Sequence, residues 1–376
     1  TIYVAEGENY KVRYNFNSSN EMFLYPAYYN SEGSKRDVAE AEMLDLTGEN
    51  KTGVNINIIP MYLISGTINL PEGTVAPTGG VEVKVNAKSS RDSIIKSYTI
   101  SEKNNGVDYK LFVPAGYSYK IGYTISNTNY LSGYYNLGGT VLNESDAGTI
   151  SVEESDYYGI NMSIIEKKII SGKISLPDGI VPSGPVSARI YAGRNDSVTV
   201  DIPKDTREAS FSIKLAPNKP LSGYIVYYTL TTSSEEFVAK GYYGLNGGLN
   251  GGIDNTVPLE KDADLVDVSS ENKDNINLVV LKRRIISGNI KTPGSLKAPK
   301  GGISVDVTVE GANITKNFII PEGQSSVPYK VYVDPNLNTS GYKIKYTVKT
   351  ANTGYTTNAY FNYNKPVQNA NEASLI

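Results

Sequence analysis

Paired tyrosines are the residues of this chain whose type and spacing best suggest a binding chemistry. The pairs are Tyr28-Tyr29, Tyr134-Tyr135 and Tyr242-Tyr243, and the last two follow a glycine. An exposed aromatic ring can stack on the face of a sugar, so each pair could form a carbohydrate-binding platform. Alternatively, one tyrosine of each pair faces the core and the other covers the edge of a sheet. Trp, which is usual on sugar platforms, is absent.

Catalytic chemistry is restricted because the chain contains no Cys and no His. This excludes Cys nucleophiles, Ser-His-Asp triads, and zinc or haem sites that use thiolate or imidazole. A pair of carboxylates could still hydrolyse a glycosidic bond without any sequence motif. The repeated units have no distinctive insertion that would form a cleft, so we predict that the protein is not an enzyme.

Two acidic loops, 143–146 and 262–267, are candidates for oxygen-ligated Ca²⁺. Neither has the D-x-[DN]-x-[DN]-G spacing of a calcium loop. We therefore interpret both as solvated loops and predict no cofactor.

Composition indicates an exported protein rich in β-structure. The net charge is −3, so no basic surface suggests nucleic acid, and no apolar run is long enough to span a membrane. Tyr is abundant, with 30 residues against 7 Phe, and strand-forming residues dominate. The start at Thr1 without an N-terminal signal is typical of a mature segment of a longer precursor. Cys-free composition is common in exported proteins of Gram-positive bacteria, so we predict an extracellular or cell-surface location.

One block is repeated three times along the chain, at Val54–Pro71, Ile160–Pro177 and Ile276–Pro293. Each copy contains an alternating strand, a junction of constant length, Ser-Gly and a second alternating strand. A repeat of this kind indicates a tandem array of one domain. Short connections and period-two alternation predict antiparallel β-sandwiches.

The offsets divide the chain into four repeats and a tail. The first repeat (1–60) is the back half of a sandwich, and the second (61–166) and third (167–282) are complete. The fourth (283–364) is the front part of a sandwich, and residues 365–376 are predicted to be a polar tail. No flexible linker separates the repeats, which favours an elongated rod.

The start of each repeat resembles the prealbumin-like carboxypeptidase-regulatory-type domain. The matching elements are Ser65-Gly66, Gly79-Gly80 and the strand 109–119 with its Tyr-x-Leu-x-Val-Pro-x-Gly pattern. The chain is also similar to repeats in large secreted and surface-layer proteins of Gram-positive bacteria. This resemblance implies an immunoglobulin- or prealbumin-like β-sandwich without catalytic residues of its own. The part of each repeat from the tyrosine pair onward departs from the family pattern.

These observations predict a structural protein of the cell surface, acting as a stiff spacer or as a self-assembling filament or surface-layer component. The alternative is an adhesin array that binds cell-wall or host glycans through tyrosine-rich faces. The incomplete outer repeats indicate either a segment cut from a longer array or head-to-tail assembly, in which residues 284–364 accept strands from residues 1–60 of the next copy. Against a simple exchange, the strand of the pattern Tyr-Lys-x-x-Tyr occurs in both outer repeats.

Overall fold

The computed structural model describes residues 1–6, 9–15, 21–180, 186–218, 222–232, 234–245, 255–335, 341–350 and 358–376. The protein is all-β, as predicted, and its strands form antiparallel sheets that pack as sandwiches. The chain divides into two compact units, Thr1–Lys167 and Lys168–Ile376. In the described part of the chain, no helix is long and apolar enough to cross a membrane.

The first unit contains thirteen short or medium strands, which follow the predicted order. In the first repeat they are β1 (Arg13–Tyr14) and β2 (Ala27–Tyr28). In the second repeat they are β3 (Met61–Asn69), β4 (Val81–Lys88), β5 (Ser93–Ile100), β6 (Gly106–Pro114), β7 (Tyr117–Ile125), β8 (Tyr130–Leu131), β9 (Gly133–Asn136), β10 (Gly139–Val141), β11 (Thr149–Val152), β12 (Met162–Ser163) and β13 (Ile165–Glu166). A 3-10 helix spans Glu144–Asp146.

The second unit repeats this order in its first half. The third repeat contains β14 (Lys168–Ser175), β15 (Val186–Ala192), β16 (Asp196–Ile202), β17 (Glu208–Leu215), β18 (Tyr224–Thr231), β19 (Lys240–Tyr243), β20 (Thr256–Val257), β21 (Leu265–Val266) and β22 (Leu278–Val279). The fourth contains β23 (Arg284–Lys291), β24 (Ile303–Glu310), β25 (Ile314–Ile320), β26 (Ser326–Val333), β27 (Lys343–Val348) and β28 (Asn358–Tyr360). Further 3-10 helices span Glu260–Asp262, Pro293–Ser295 and Ala370–Glu372.

Each complete repeat is a sandwich of one small and one large sheet. In the second repeat the small sheet has the order β12-β3-β6 and the large one β10-β9-β7-β4-β5, with β11 also paired to β7. The third repeat has the same topology, with β17-β14-β22 facing β16-β15-β18-β19-β20. Because side chains alternate between the two faces of a strand, one face is buried and the other is not. In β4, every second residue from Val81 to Ala87 is buried. Each complete repeat forms one continuous apolar core.

The last strand of each complete repeat is parallel to the first, which is a difference from a purely antiparallel sandwich. β12 pairs in parallel with β3, and β22 pairs in parallel with β14. No hairpin links these strands to their partners, since the chain reaches them from the opposite sheet. A crossing connection allows parallel pairing, whereas a tight turn would require antiparallel pairing.

Residues 365–376, predicted to be a polar tail, are instead part of the fourth sandwich. Val367 bridges to Tyr360, and Ile376 exchanges two backbone hydrogen bonds with Tyr342, both of 2.9 Å. This closing pair repeats the contact of Leu44 with Tyr10 in the first repeat (3.0 and 2.7 Å). The tail prediction was wrong because a short segment with few apolar residues can still gain order by pairing with a sheet edge. We therefore extend the fourth repeat to Ile376.

Candidate functional sites

The predicted tyrosine pairs lie in equivalent places, on or directly after the strands β2, β9 and β19, which pair with the Tyr-Lys-x-x-Tyr strand or its equivalent. Tyr29, Tyr242 and Tyr243 are buried, whereas Tyr28, Tyr134 and Tyr135 are half-buried. In the complete repeats the second tyrosine of each pair packs on the core side, with Tyr243 inside the core and Tyr135 against it. The first tyrosine lies on the outer face, where Tyr134 covers Gly122. No described member of the three pairs is fully exposed.

In the third repeat, aromatic rings on the outer face stack on one another. Tyr191 and Tyr227 are parallel with ring centroids 4.6 Å apart, and Tyr242 lies 5.6 Å from Tyr227. The Lys240 ammonium is 4.4 Å from the Tyr227 centroid and 4.7 Å from that of Tyr242. The ring faces thus contact each other and a cation, which stabilises the sheet and reduces the area available to a sugar.

A second set of tyrosines, which the sequence patterns did not single out, forms hydrogen bonds to the backbone at the end of the last segment of each repeat. We call Tyr14, Tyr123, Tyr228 and Tyr346 the junction tyrosines, because they share one position in the Tyr-Lys-x-x-Tyr strands and their equivalents. The hydroxyls of the first three accept a hydrogen bond from the backbone N–H of Ile59, Ile165 and Leu281, at 3.0, 3.0 and 2.9 Å respectively. Their constant spacing in the repeat was the sequence signal that could have identified them.

Burial changes the acidity of Tyr123, Tyr228 and Tyr346. Tyr123 is 1% exposed, and loss of solvation raises the pKa of its hydroxyl to about 12, although the hydrogen bond from Ile165 opposes this shift. Burial also raises the pKa of Tyr228 and of Tyr346. Each hydroxyl therefore stays neutral and can accept a backbone hydrogen bond across the physiological range.

We expect the protein to lose stability at alkaline pH through Tyr123. Its hydroxyl ionises near pH 10 in an unfolded chain but holds its proton to about pH 12 when folded. The stabilisation is complete below pH 10 and is lost as the pH rises to about 12, by roughly 2–3 kcal/mol in the free energy of unfolding. Urea titrations of the wild type and of Tyr123→Phe at several pH values across this window measure how steeply the free energy of unfolding falls with pH. This fall should be shallower in Tyr123→Phe and unchanged in Tyr3→Phe, whose ring is 92% exposed.

The first of the two loops considered for Ca²⁺ is a 3-10 turn, and the second runs from the end of a 3-10 helix into β21. Polar groups of both loops form hydrogen bonds within the protein. Asn143 Nδ2 donates to Asp146 Oδ2 (3.2 Å), and Asp264 Oδ2 accepts the Leu245 N–H (2.5 Å). In the described ranges, no group of three or more acidic, His or Cys side chains could hold a metal ion.

The most distinctive concave surface is an open groove in the fourth repeat, which we call the acceptor groove. It has a volume of about 620 Å³ and lies beside β23, between the two sheets. Its apolar lining includes Ile290, Ile303, Val305, Tyr346, Val348 and Phe361. Where each complete repeat has one core, the fourth has two separate apolar clusters, one on each side of this opening. The sequence pattern predicts that strands are missing here, and among the described residues the structure shows an open cleft.

Comparisons with known proteins find likeness in solved structures alone. No family model matches the chain, and no curated protein matches it. The fold defines a class, the tandem β-sandwich proteins, and the similar structures include surface proteins of bacteria.

Three of these structures illustrate the level of similarity. The Bacillus anthracis TIE protein is 14% identical, with 90% of this chain and 55% of that one covered and a TM-score of 0.23. A streptococcal ancillary pilin is 12% identical, with 80% and 94% covered and a TM-score of 0.27. A pilus adhesin from Lactobacillus rhamnosus GG is 9% identical, with 89% and 42% covered and a TM-score of 0.26. The chain spans about half the length of the TIE protein. These similarities concern the fold alone and assign no neighbour's function to this chain.

Proposed function

We propose that this chain is a non-enzymatic structural protein of the bacterial cell surface, in which tandem β-sandwiches act as a stiff spacer. The observation that supports this proposal is that the same contacts form at two junctions between neighbouring repeats. Between the first and second repeats, the Met61 N–H donates to the Met22 carbonyl (2.8 Å). Between the third and fourth, the Arg283 N–H donates to the Glu236 carbonyl (2.7 Å).

Side chains repeat the same arrangement at both junctions. Lys96 pairs with Glu21 and lies 5.5 Å from the Phe112 ring centroid. Lys316 pairs with Glu235 and lies 5.8 Å from the Tyr332 ring centroid. Individual ion pairs of this kind contribute about 1 kcal/mol or less, but backbone bonds, ion pair and ring contact together limit rotation between neighbours. A junction of fixed geometry suits a spacer better than a flexible tether.

The composition and the repeats agree with a surface location. A chain without Cys gains its stability from burial and strand pairing and does not depend on disulfides. The similarity of the early part of each repeat to carboxypeptidase-regulatory-type and surface-layer repeats supports the same location. Binding of glycans by the half-buried rings of Tyr28 and Tyr134 is the second candidate, favoured by the outer-face position of the first tyrosine in a pair and by the avidity of a tandem array.

Distance measurements test the spacer. Because the chain has no Cys, spin labels on Thr199→Cys and Ser326→Cys report only the third and fourth repeats. We expect one narrow distance distribution in electron paramagnetic resonance. It should broaden in Lys316→Glu and narrow again when Glu235→Lys is added. A broad distribution in the unmutated junction would contradict a stiff spacer.

Antibody labelling of intact cells tests the proposed location at the cell surface. Antibodies against the purified chain should label intact cells of the source bacterium, and protease added outside should remove the label. Signal confined to lysed cells would overturn the surface assignment. A glycan array probed with the wild type and Tyr134→Ala tests the second candidate.

A further inference from the structure

The complete repeats show what fills the position that is open in the fourth. In the third repeat, residues 272–280 run along the outer edge of β14. The Ile276 N–H donates to the Ser171 carbonyl (3.0 Å), and the Val280 N–H donates to that of Ser175 (2.8 Å). Side-chain carbonyls of this segment also accept from the strand: Asn272 from the Ile169 N–H (2.9 Å) and Asn277 from the Lys173 N–H (3.0 Å). Ile276, Leu278 and Val280 are at most 7% exposed and close the core.

The edge of β23 in the fourth repeat has no such partner among the described residues. β23 pairs only with β26 there, and Ile285, equivalent to Ile169, is 45% exposed. Ile290 is half-buried, whereas its equivalents Ile68 and Ile174 are fully buried. Among the described residues, the groove therefore presents an unpaired sheet edge above an apolar floor, which is the geometry that accepts an added strand.

Glycines mark how closely that strand approaches. A Cβ on Gly66 or Gly172 would overlap the backbone carbonyl of Ile160 or Ile276. At the equivalent Gly288, the nearest atoms to such a Cβ belong to the Tyr329 side chain, at 2.9 Å. Tyr329 corresponds to Tyr109, whose hydroxyl donates to the Ile160 carbonyl (2.5 Å). The fourth repeat thus keeps the glycine of both complete repeats and the tyrosine of the second, whereas the third repeat has Phe211 opposite its glycine.

Residues 50–58, which we call the donor segment, have the matching sequence and pair with no strand in the described part of the chain. It reads NKTGVNINI, and the third repeat's strand reads NKDNINLVV at residues 272–280. Ile56 and Ile58 of the donor segment are 37% and 49% exposed, although their equivalents Leu278 and Val280 are fully buried. In the described structure it belongs to no strand.

The donor segment already has the local conformation of a bound strand. The Asn55 N–H donates to the Gly53 carbonyl (2.8 Å), as Asn161 does to Gly159 and Asn277 to Asn275, both at 2.9 Å. Gly53 has a φ of 74°, close to 73° at Gly159 and 58° at Asn275. A preorganised segment loses less conformational entropy on binding.

We propose that the acceptor groove binds the donor segment of a second copy of this chain, so that copies join head to tail by strand addition. This inference builds on the proposed function, since it names the partner through which the spacer extends. Val54, Ile56 and Ile58 fill the groove, and Asn55 accepts the Asn289 N–H. The repetition of one binding mode at both complete repeats is the argument for this occupant.

The exchange replaces one set of contacts by an equivalent set. In the donor copy, the Ile59 N–H leaves the Tyr14 hydroxyl for the Tyr346 hydroxyl of the acceptor copy, so this hydrogen bond is replaced by an equivalent one. The pair Tyr342–Ile376 of the acceptor takes the place of the pair Tyr10–Leu44 of the donor. The driving force is burial of Ile56 and Ile58 and of the groove lining.

Sedimentation velocity of the full chain, from about 1 to about 100 µM, tests the proposal. We expect oligomers that grow with concentration. Ile56→Lys should weaken association by about a hundredfold or more, because it places a charge in the groove. Gly288→Ala should have a similar effect, because its Cβ would meet the incoming carbonyl. Ile95→Lys, at an outer-face residue that is 59% exposed, should leave association unchanged.

Mixing the two defective variants sharpens the test. Ile56→Lys retains an intact groove and Gly288→Ala retains an intact donor segment, so an equimolar mixture should form one-to-one dimers and nothing larger. A wild type that stays monomeric, or oligomers that persist in both variants, would overturn the proposal. If the wild type stays monomeric but binds a synthetic peptide of residues 49–59, the groove accepts a strand of this kind but not from a second copy. This result would also overturn the proposal. None of these outcomes changes the distance between the spin labels in the third and fourth repeats. The two experiments therefore distinguish failure of head-to-tail association from failure of the stiff spacer.

Discussion

Gly172→Ala will destabilise the third repeat by about 3 kcal/mol or more, the largest effect we expect from a single methyl group in this protein. The added Cβ overlaps the Ile276 carbonyl, and this carbonyl belongs to backbone that cannot turn aside as a side chain can. Relief requires β14 and residues 272–280 to separate, which breaks the hydrogen bonds between Ser171 and Ile276 and between Ser175 and Val280.

Hydrogen exchange followed by mass spectrometry will localise this effect. Amides of β14 and of residues 272–280 should exchange about a hundredfold faster in Gly172→Ala, whereas those of the second repeat should be unchanged. Gly288→Ala is the matched control, because the nearest obstacle there is the edge of the Tyr329 ring. We expect it to cost less than about 1 kcal/mol in the monomer. Equal effects at both glycines would show that the close strand is not the cause.

Leu278→Ala will destabilise the third repeat by about 2–5 kcal/mol. Leu278 is fully buried, it lies in β22, and it is part of the core that joins the two sheets. Truncation removes apolar contacts and leaves a cavity between sheets that β-strand pairing holds apart, so the site cannot collapse freely.

The equivalent residue of the first repeat provides the control for this substitution. Ile56 is 37% exposed, so Ile56→Ala should change the unfolding free energy of the monomer by about 0.5 kcal/mol or less. Differential scanning calorimetry of the full chain at low concentration should show a lower transition temperature for Leu278→Ala and an unchanged profile for Ile56→Ala. A large loss in both variants would mean that the donor segment is already buried in the free chain.

Local pattern determined much of the fold. Alternation in stretches such as Val81–Lys88 identified strands and the faces they bury, because side chains of a strand point to opposite sides whatever surrounds it. The recurrence of Ser-Gly and of the tyrosine pairs identified the repeats. Missing Cys and His restricted the chemistry before any geometry was known.

Position in the tertiary structure decided what the pattern could not. Tyr134 and Tyr242 occupy the same place in the repeat, yet Tyr134 is half-buried while Tyr242 is covered by Tyr227 and Lys240. Tyr227 belongs to the neighbouring strand β18, so the local sequence around Tyr242 does not predict this contact. The order of residues 365–376 has the same origin, since it depends on pairing of Ile376 with a strand that precedes it by more than thirty positions.

The sequence by itself determined that this protein is a tandem array of β-sandwiches. Only the tertiary structure decided that, among the described residues, the fourth repeat has an open, apolar groove and that Ile56 and Ile58 of the first repeat are exposed. The physical reason is that the alternating pattern of residues 50–58 and 272–280 is nearly the same, and pattern fixes which side chains share a face. Whether that face is buried depends on a strand from elsewhere in the chain, and this partner is present at Ser171 and is not described at Ser287.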